Sequence, residues 1–411
     1  MNITLLQGKR IVLGVTGSIA CYKVVDLASK LTQAGAEVDV IMTEAAQKFV
    51  APLTFRSVTG RPVYTDMWAQ DKHVPHVGLG EEADLLMIAP ATAHTMAKLA
   101  HGMADNLLTV TVLAARCPIL VAPAMDGGMY EHGATQANVA LLRQRGILFA
   151  GPTVGRMASG LSGLGRMLES EELLGHCRQA LARDGVLAGR KVVVTAGPTR
   201  ENLDPVRYIS NRSTGRQGVA VAQAALDLGA RVILVAGPLT VATPFGATVI
   251  DVETAQEMHD AVLGNIMEAD VLCMVAAVAD FRPRDRQEQK IKKTKAEEWG
   301  MAIGLEKTLD VLTSVRGRRE ETGYPVVTLG FAAETQDAFE YGRSKLLRKG
   351  LSLIAVNDVT AEGAGFGVDT NRVVLLGSTG VVERMEKMSK AGVAERLMTH
   401  VVKALGVEVL G

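Results

Sequence analysis

Residues suited to phosphate chemistry are concentrated in one stretch, KVVVTAGPTRENLDPVRYISNRSTGRQG, which begins at Lys191. Its apolar start is typical of a buried parallel strand, and the Gly-Pro pair after Ala196 ends that strand. The run Ser213-Thr214-Gly215 then directly precedes a helical pattern. A Ser or Thr cap would turn free backbone N–H groups of that helix toward an anion. The stretch therefore predicts a nucleotide site, although an ordinary strand, loop and helix has the same spacing.

A second candidate is the basic segment over 282–295, where seven Lys and Arg residues outnumber two carboxylates. Such a segment is usually a solvated loop. The functional alternative is a lid that brings positive charge to the phosphates of a bound nucleotide. Neither an aromatic ladder nor a groove-reading helix accompanies it, so nucleic acid is not the predicted partner.

In the N-terminal half, Gly17 and Ser18 stand between a predicted strand and a predicted helix. The glycines at 14 and 17 do not form GxGxxG, so the dinucleotide fingerprint is absent. A mononucleotide phosphate at the helix N-terminus fits better, and a tight turn that needs glycine is the alternative. Two further predicted strands end in small-residue loops, at 90–92 and 123–126, where a flat ring system could lie against the backbone.

Composition limits the class of protein. The 411 residues suggest two domains, and a 48% hydrophobic content is ample for buried cores. Lys plus Arg, at 44, balance Asp plus Glu, at 44, so neither nucleic acid nor a membrane surface is a predicted partner. The four cysteines show no CxxC spacing, and neither a signal peptide nor an uninterrupted apolar span is evident. These features predict a soluble, cytoplasmic protein.

The elements alternate as in an α/β protein with two doubly wound, Rossmann-like domains and mainly parallel sheets. A connector over 184–189 places the boundary near residue 187. Strands are predicted over 10–16, 37–42, 83–89, 119–122, 191–196, 232–236, 248–252, 271–279, 326–331, 353–359 and 373–376, and helices over 19–33, 93–101, 169–183, 255–266 and 335–349. A helix end and a strand are predicted within 141–149, a helix is predicted to end at Leu228, and 406–410 is predicted to close the second domain.

Three C-terminal motifs, AGPTRENLDPVRYISNRSTGRQG, AAVADFRP followed by KIKK, and GFAAET, resemble the phosphopantothenate-cysteine ligase family. The resemblance implies a ribokinase-like or Rossmann-like domain over 187–411 that joins 4'-phosphopantothenate to cysteine through an acyl cytidylate, with CTP as co-substrate and Mg²⁺. It implies catalytic roles for Asn211 and Lys290 and substrate binding by Arg207. The CTP-binding residues that it implies are Asp280, Lys290, Asp310, Phe331, Lys345 and Lys349. The family often has NPD where this chain has Thr308-Leu309-Asp310.

Residues 8–170 resemble the flavin-containing cysteine decarboxylase family, through LGVTGSIACYK, MTEAA, ADLLMIAPATA, GMADNLL, PAM and GLGRM in that order. The resemblance implies a flavodoxin-like domain over 1–186 that uses FMN to decarboxylate phosphopantothenoylcysteine. His76 occupies the position of the catalytic histidine. The FMN-binding residues that the resemblance implies are Gly17, Ser18, Ile19, Thr43, Ala91 and Thr92.

Two positions depart from the usual decarboxylase pattern. Asp126, a substrate-binding position, stands where PAMN is commonest, and Ser159, a catalytic position, stands where a cysteine is usual. A cysteine, with an ordinary pKa of about 8.5, can return a proton to the decarboxylated product, whereas serine is a far weaker acid. An ionised Asp126 would also repel the substrate carboxylate. We expect decarboxylation to be retained.

One alternative is a ligase whose catalytically impaired flavin domain serves as an oligomerisation core. A nicotinamide-dependent oxidoreductase is a further alternative, which the missing GxGxxG disfavours. The resemblance also implies a homo-oligomer with trimeric flavin domains and dimeric ligase domains, together a dodecamer. The metal ligands are not predicted.

Overall fold

The computed structural model describes residues 4–68, 75–292, 302–334, 338–358, 365 and 367–407. The chain folds into two compact units, one ending at Arg183 and one beginning at Asp184. None of the helices in the described ranges is long and apolar enough to cross a membrane.

The first unit is built on a six-stranded parallel sheet in the order β3-β2-β1-β4-β5-β6. Its elements are β1 (Arg10–Val15), α1 (Cys21–Gln33), β2 (Glu37–Met42), α2 (Pro52–Thr59), β3 (Val63–Tyr64), α3 (Pro75–Glu81), β4 (Leu85–Ala91), α4 (Ala93–His101), α5 (Leu107–Ala114), β5 (Ile119–Pro123), α6 (Gly127–Glu131), α7 (Gly133–Gln144), β6 (Leu148–Phe149), β7 (Thr153–Arg156), β8 (Ser162–Arg166) and α8 (Ser170–Ala182). Strands β7 and β8 form a separate antiparallel ribbon.

The second unit repeats this order in an eight-stranded sheet, β13-β12-β9-β14-β17-β18-β19-β20, in which the pairings of β19 with β18 and with β20 are antiparallel and the other pairings are parallel. Its elements are β9 (Lys191–Ala196), β10 (Arg200–Asn202), β11 (Tyr208–Ser210), α9 (Arg216–Asp227), β12 (Arg231–Ala236), β13 (Thr248–Asp251), α10 (Ala255–Asn265), β14 (Val271–Met274), β15 (Phe281–Pro283), β16 (Leu305–Lys307), α11 (Val311–Thr322), β17 (Val327–Glu334), α12 (Ala338–Lys349), β18 (Leu353–Asp358), β19 (Thr370–Gly377), β20 (Gly380–Ser389) and α13 (Lys390–Ala404).

Both sheets are covered on both faces, which is why their central strands are apolar without interruption. In β1, Leu13 packs into one core and Val12 into another. In β9, Val194 likewise packs into one core and Val193 into the core on the opposite face. The predicted α/β class with mainly parallel sheets is confirmed. The first sheet has the strand order of the Rossmann fold, so the unit is flavodoxin-like only in the broad sense of an open doubly wound sheet.

Two predictions of local structure are wrong. The strand predicted over 271–279 ends at Met274, because Thr195 Oγ1 then accepts the backbone N–H groups of Val275 and Ala276 at 3.0 and 3.1 Å. The N-cap of α9 is Gly215, at φ +79°, with no side-chain cap, rather than Ser213 or Thr214.

The end of the second unit contains two elements that the sequence analysis did not predict. Strand β20 and helix α13 were not predicted, yet Val393, Leu397 and Val401 of α13 are fully buried in the larger core of this unit. Helix α13 therefore completes the core, and residues 408–410 of the predicted closing segment lie outside the described ranges.

Candidate active sites

The first unit contains a cavity of about 990 Å³ at the carboxyl ends of its strands, beside the β7–β8 ribbon. Open α/β sheets bind ligands at this edge. The predicted site residues that line it are Gly17, Ser18, Ile19, Thr43, Thr92, Asp126 and Ser159.

A hydroxyl between β1 and β4 fixes the loops of this cavity. Thr16 Oγ1 donates to Pro90 O at 2.6 Å and accepts from Thr92 N at 3.2 Å. Thr92 in turn caps α4 by accepting from Thr95 N at 3.2 Å. Ala91 is fully buried and does not line the cavity, but its carbonyl accepts from Ala124 N at 3.0 Å. Ala91 therefore positions the loops rather than contacting a ligand with its side chain.

Two features of the cavity suit a flavin phosphate and ring. No side chain caps the N-terminus of α1, which faces the cavity through Ser18 and Ile19. Such an N-terminus attracts phosphate. The Ile19 side chain is 58% exposed beside this N-terminus and offers apolar surface to a flat ring.

Lys23 was not predicted as a site residue, although it lines this cavity. It is 9% exposed, and its Nζ donates to Glu169 Oε1 at 2.7 Å and to Met167 O at 3.3 Å. The hydrogen bond from Lys23 lowers the pKa of Glu169. Lys23 thus attaches α1 to the chain that follows β8, a long-range contact with no local sequence signal.

The two residues that depart from the decarboxylase pattern touch each other. Ser159, in the turn of the β7–β8 ribbon, donates from Oγ to Asp126 Oδ2 at 2.6 Å. The other carboxylate oxygen of Asp126 caps α6 by accepting from Gly128 N at 3.2 Å.

His76 lies in α3 and is not among the described residues that line this cavity. Its Nδ1 is buried and has no hydrogen-bond partner within the described residues. The structure therefore does not bring His76 together with Asp126 and Ser159 within one chain.

The second unit contains a cavity of about 790 Å³ at the carboxyl ends of β9, β14, β17 and β18. The predicted site residues that line it are Asn211, Asp280, Asp310, Phe331, Lys345 and Lys349. Asn211 Nδ2 donates to Ala277 O at 3.0 Å, which holds the 211 loop over the end of β14.

Cations from α12 reach this cavity from one side of the sheet. Lys345 Nζ donates to Phe331 O at 3.2 Å. Lys349 forms an ion pair with Asp310 and donates to Thr313 Oγ1 at 2.8 Å. Burial raises the pKa of Asp310, but the hydrogen bonds from Lys349 and Thr313 and the charge of Lys349 together outweigh burial, so the pKa is lowered overall. The pairing of Lys349 with Asp310 was not predicted.

Arg207 and Lys290 lie apart from the described lining of the second cavity. Arg207 Nε donates to Asp204 Oδ2 at 2.9 Å, and its Nη2 donates to Ile291 O at 3.0 Å. Ile291 N donates to Asp204 Oδ2 at 3.1 Å. The exposed Lys290 therefore precedes a backbone segment that Asp204 and Arg207 anchor. The rest of the predicted lid, over 293–295, lies outside the described residues.

A polar group on the other side of this cavity was not predicted. Its members are Arg216, Gln217, Asn357, Asn371 and Lys390. Asn357 is 7% exposed, and its Oδ1 has no hydrogen-bond partner among the described residues. Gln217 Nε2 donates to Lys390 O at 3.1 Å, and Asn371 Nδ2 donates to Gln217 Oε1 at 3.2 Å. These contacts join α9, β19 and α13 across more than 150 positions of sequence.

Comparison with known proteins divides the chain in the same way. Residues 2–181 match the family model described as Flavoprotein, and residues 187–405 match the model described as DNA/pantothenate metabolism flavoprotein C-terminal domain. The coenzyme A biosynthesis bifunctional protein CoaBC of Bacillus subtilis (strain 168) is 43% identical over 402 residues, which cover 97% of each chain. The chain belongs to the CoaBC family.

Another CoaBC protein, from Mycobacterium tuberculosis (strain ATCC 25618 / H37Rv), is 45% identical over 408 residues, again with 97% of each chain covered. Among solved structures, the C-terminal domain of a CoaBC protein is 34% identical, with a TM-score of 0.45, and covers 54% of this chain and 99% of its own. The FMN-dependent cysteine decarboxylase SpaF is 35% identical, with a TM-score of 0.38, and covers 43% of this chain and 97% of its own.

CoaBC membership confirms the predicted bifunctional enzyme of coenzyme A biosynthesis, with a flavoprotein decarboxylase domain followed by a ligase domain. It also disfavours the interpretation as a nicotinamide-dependent oxidoreductase. The roles of individual site residues stay predictions.

Proposed function

We propose that the C-terminal unit joins 4'-phosphopantothenate to cysteine with CTP as the activating nucleotide, and that the N-terminal unit decarboxylates the resulting phosphopantothenoylcysteine to 4'-phosphopantetheine. The supporting observation is that motif residues from distant parts of the chain meet in one cavity at the carboxyl edge of each sheet. We place both reactions in the cytoplasm.

In the ligase step, the substrate carboxylate attacks the α-phosphate of CTP, pyrophosphate leaves, and an acyl cytidylate results. The cysteine amine then attacks the acyl carbonyl, and CMP leaves. Negative charge collects on phosphoryl and acyl oxygens in both steps, so fixed cations and hydrogen-bond donors are the main contribution of the protein.

Lys345 and Lys349 are the cations that we assign to the triphosphate, because both line the cavity from α12. Within the described residues, no group of three or more His, Cys, Asp or Glu side chains is arranged to hold a metal ion. We infer that Mg²⁺ enters with the triphosphate and keeps several of its waters. Phe331, Asp280 and Asp310 then contact the nucleoside part of CTP.

Asn211 and Lys290 act in different steps of this scheme. The Asn211 amide, already at the cavity wall, polarises the acyl carbonyl during attack by the amine. Lys290 stabilises the charge that develops when pyrophosphate leaves, and Arg207 holds the anchored segment beside it and helps to retain the intermediate.

The test is to separate the two steps in variants. Lys290→Gln should abolish pyrophosphate release, and loss of one such donor costs on the order of 10²–10³ in rate. Asn211→Asp should instead release pyrophosphate and accumulate the acyl cytidylate, detected by mass spectrometry. If both variants block only amide formation, the assignment of roles is wrong.

In the first unit, we assign the cofactor as FMN, whose phosphate would be held by Gly17, Ser18 and the N-terminus of α1, with Thr43 and Thr92 beside it. Bound FMN supplies a reversible acceptor for hydride. His76 is not among the described residues that line the cavity of its own unit, which is consistent with sites shared between subunits, and we propose a homo-oligomer with trimeric flavin domains. With dimeric ligase domains, the assembly would be a dodecamer.

A ligase with an impaired flavin domain is the second candidate, because Asp126 and Ser159 replace the usual pair and contact each other. Release of carbon dioxide from phosphopantothenoylcysteine by the flavin-loaded protein supports the first candidate. Absence of release under aerobic and anaerobic conditions would support the second.

A further inference from the structure

The contact between Asp126 and Ser159 is built into the backbone of the first unit. Met125 N donates to Gly165 O at 3.0 Å, so the loop after β5 pairs with β8 of the ribbon. A Cβ on Gly165 would lie 2.4 Å from Met125 O, so only glycine allows this approach. The ribbon therefore lies directly against the Asp126 loop.

The turn that carries Ser159 is also closed by its own hydrogen bonds. Met157 N donates to Leu161 O at 2.9 Å, and Gly160 N donates to Met157 O at 3.0 Å. With the turn and the ribbon both fixed, Ser159 Oγ lies 2.6 Å from Asp126 Oδ2, and both residues line the cavity. The pair is thus positioned by main-chain packing rather than by its own hydrogen bond alone.

The chemistry of the proposed decarboxylation needs a group that takes up a proton and later returns it. Oxidation of the substrate thiol to a thioaldehyde releases the thiol proton and needs an acceptor for the hydride of the carbon next to sulfur, which bound FMN would supply. Loss of carbon dioxide then leaves an enethiolate. One proton must reach the carbon that carried the carboxylate, and the hydride must return to the carbon next to sulfur.

We propose that Asp126 and Ser159 together carry this proton, with Asp126 taking it from the substrate thiol and Ser159 passing it to the carbon that loses carbon dioxide. The proposal rests on the decarboxylase function proposed above. A serine hydroxyl alone is too weak an acid, but a carboxylic acid hydrogen-bonded to it replaces the proton that it gives away. The product thiolate finally takes a proton from water, so the reaction consumes one proton overall, as a decarboxylation requires.

Charge also favours an aspartate in this task. While the substrate carboxylate is present, a proton on Asp126 removes the repulsion between two carboxylates in one cavity. After carbon dioxide has left, that repulsion is gone and Asp126 can give up the proton. The residue that looks unsuited to binding an anionic substrate is therefore suited to holding a proton during the cycle.

The test uses the flavin-loaded, full-length protein and phosphopantothenoylcysteine under anaerobic conditions. The flavin absorption spectrum reports hydride transfer in each direction, and alkylation followed by mass spectrometry separates the saturated thiol from the unsaturated one. For Ser159→Ala, we expect normal flavin reduction, a flavin that stays reduced, and a loss of saturated thiol of about 10²-fold or more. For Asp126→Asn, we expect slower flavin reduction as well, because the acceptor of the thiol proton is missing.

Two further variants make the result specific. In the double change Asp126→Asn with Ser159→Cys, flavin reduction should stay as slow as in Asp126→Asn, but each reduced flavin should again yield saturated thiol, since a cysteine is itself a sufficient acid. Ser162→Ala, an exposed serine on the same ribbon, should match the wild type. The proposal is overturned if both single variants reoxidise the flavin and form saturated thiol at the wild-type rate, or if the wild type itself releases the unsaturated thiol. A wild-type flavin that the substrate never reduces would instead refute the decarboxylase function.

Discussion

At the scale of single residues, Lys349 is one of the two cations of the second cavity that we assign to the triphosphate. Its side chain is 10% exposed and pairs with Asp310, so it presents a charge that is already desolvated and oriented. Charge-assisted hydrogen bonds contribute about 1.5–3 kcal/mol. We expect Lys349→Gln to raise the KM for CTP roughly tenfold to hundredfold, with a smaller effect on kcat.

The matched control for this change is Arg343→Gln, which removes a cation from an exposed position of the same helix, outside the described lining of the cavity. Steady-state kinetics with CTP as the varied substrate should show no change beyond about twofold for this control. Equal effects of the two variants would mean that overall charge, rather than the position of Lys349, governs nucleotide binding.

Motifs alone predicted many cavity-lining residues but not their partners. Asn211, Lys345 and Lys349 were found because they sit in or beside recognisable strings. The partner of Arg207 was not found, although Asp204 is only three positions away, because an Asp and an Arg in a polar loop have many other possible contacts. Asn357 and Lys390 carry no local signal and become site residues only when β18 and α13 reach the same sheet edge.

At the scale of elements, Asp204 fixes the segment that carries Lys290. It accepts hydrogen bonds from the Arg207 guanidinium and from the backbone N–H groups of Val206, Arg207 and Ile291. These donors, Arg207 foremost, hold the pKa of the Asp204 carboxyl far below its usual range. An unfolded aspartate titrates at about 3.9.

Because the folded pKa of Asp204 is the lower one, its contribution to stability is complete above about pH 4 and is lost as the pH falls below that value. We expect Asp204→Asn to lower the Tm at pH 7, and the difference from wild type to shrink steadily below about pH 4. Thermal unfolding, followed by circular dichroism from pH 7 to below pH 4, measures this difference in Tm. Asp251→Asn, at an exposed carboxylate of the same unit, serves as control. A difference for Asp204→Asn that is the same at pH 7 and at acid pH would contradict the argument.

Periodicity predicted the elements that cross the interior. The strand over Glu37–Met42 and the helix over Ala93–His101 have the predicted bounds. Periodicity failed where tertiary contacts replace local ones. After Met274 the sequence stays apolar along the cavity wall, but the backbone N–H groups there donate to the Thr195 side chain instead of to a neighbouring strand. Strand β20 was missed because its mostly exposed residues bury little apolar surface.

At the scale of the whole molecule, the two units use the same strand order to place a cavity at the carboxyl edge of each sheet. Each unit has its own buried clusters, with residues up to Ala180 in the first and from Leu187 in the second. In the proposed scheme, the product of the second cavity is the substrate of the first. The balanced charge of 44 basic and 44 acidic residues means that attraction of anionic substrates depends on local cations.

The most direct test of this account is to incubate the flavin-loaded protein with 4'-phosphopantothenate, cysteine, CTP and Mg²⁺, and to identify the products by mass spectrometry. We expect pyrophosphate, CMP, carbon dioxide and 4'-phosphopantetheine, with phosphopantothenoylcysteine appearing only transiently. Accumulation of phosphopantothenoylcysteine as the final product, or no consumption of CTP at all, would contradict the account.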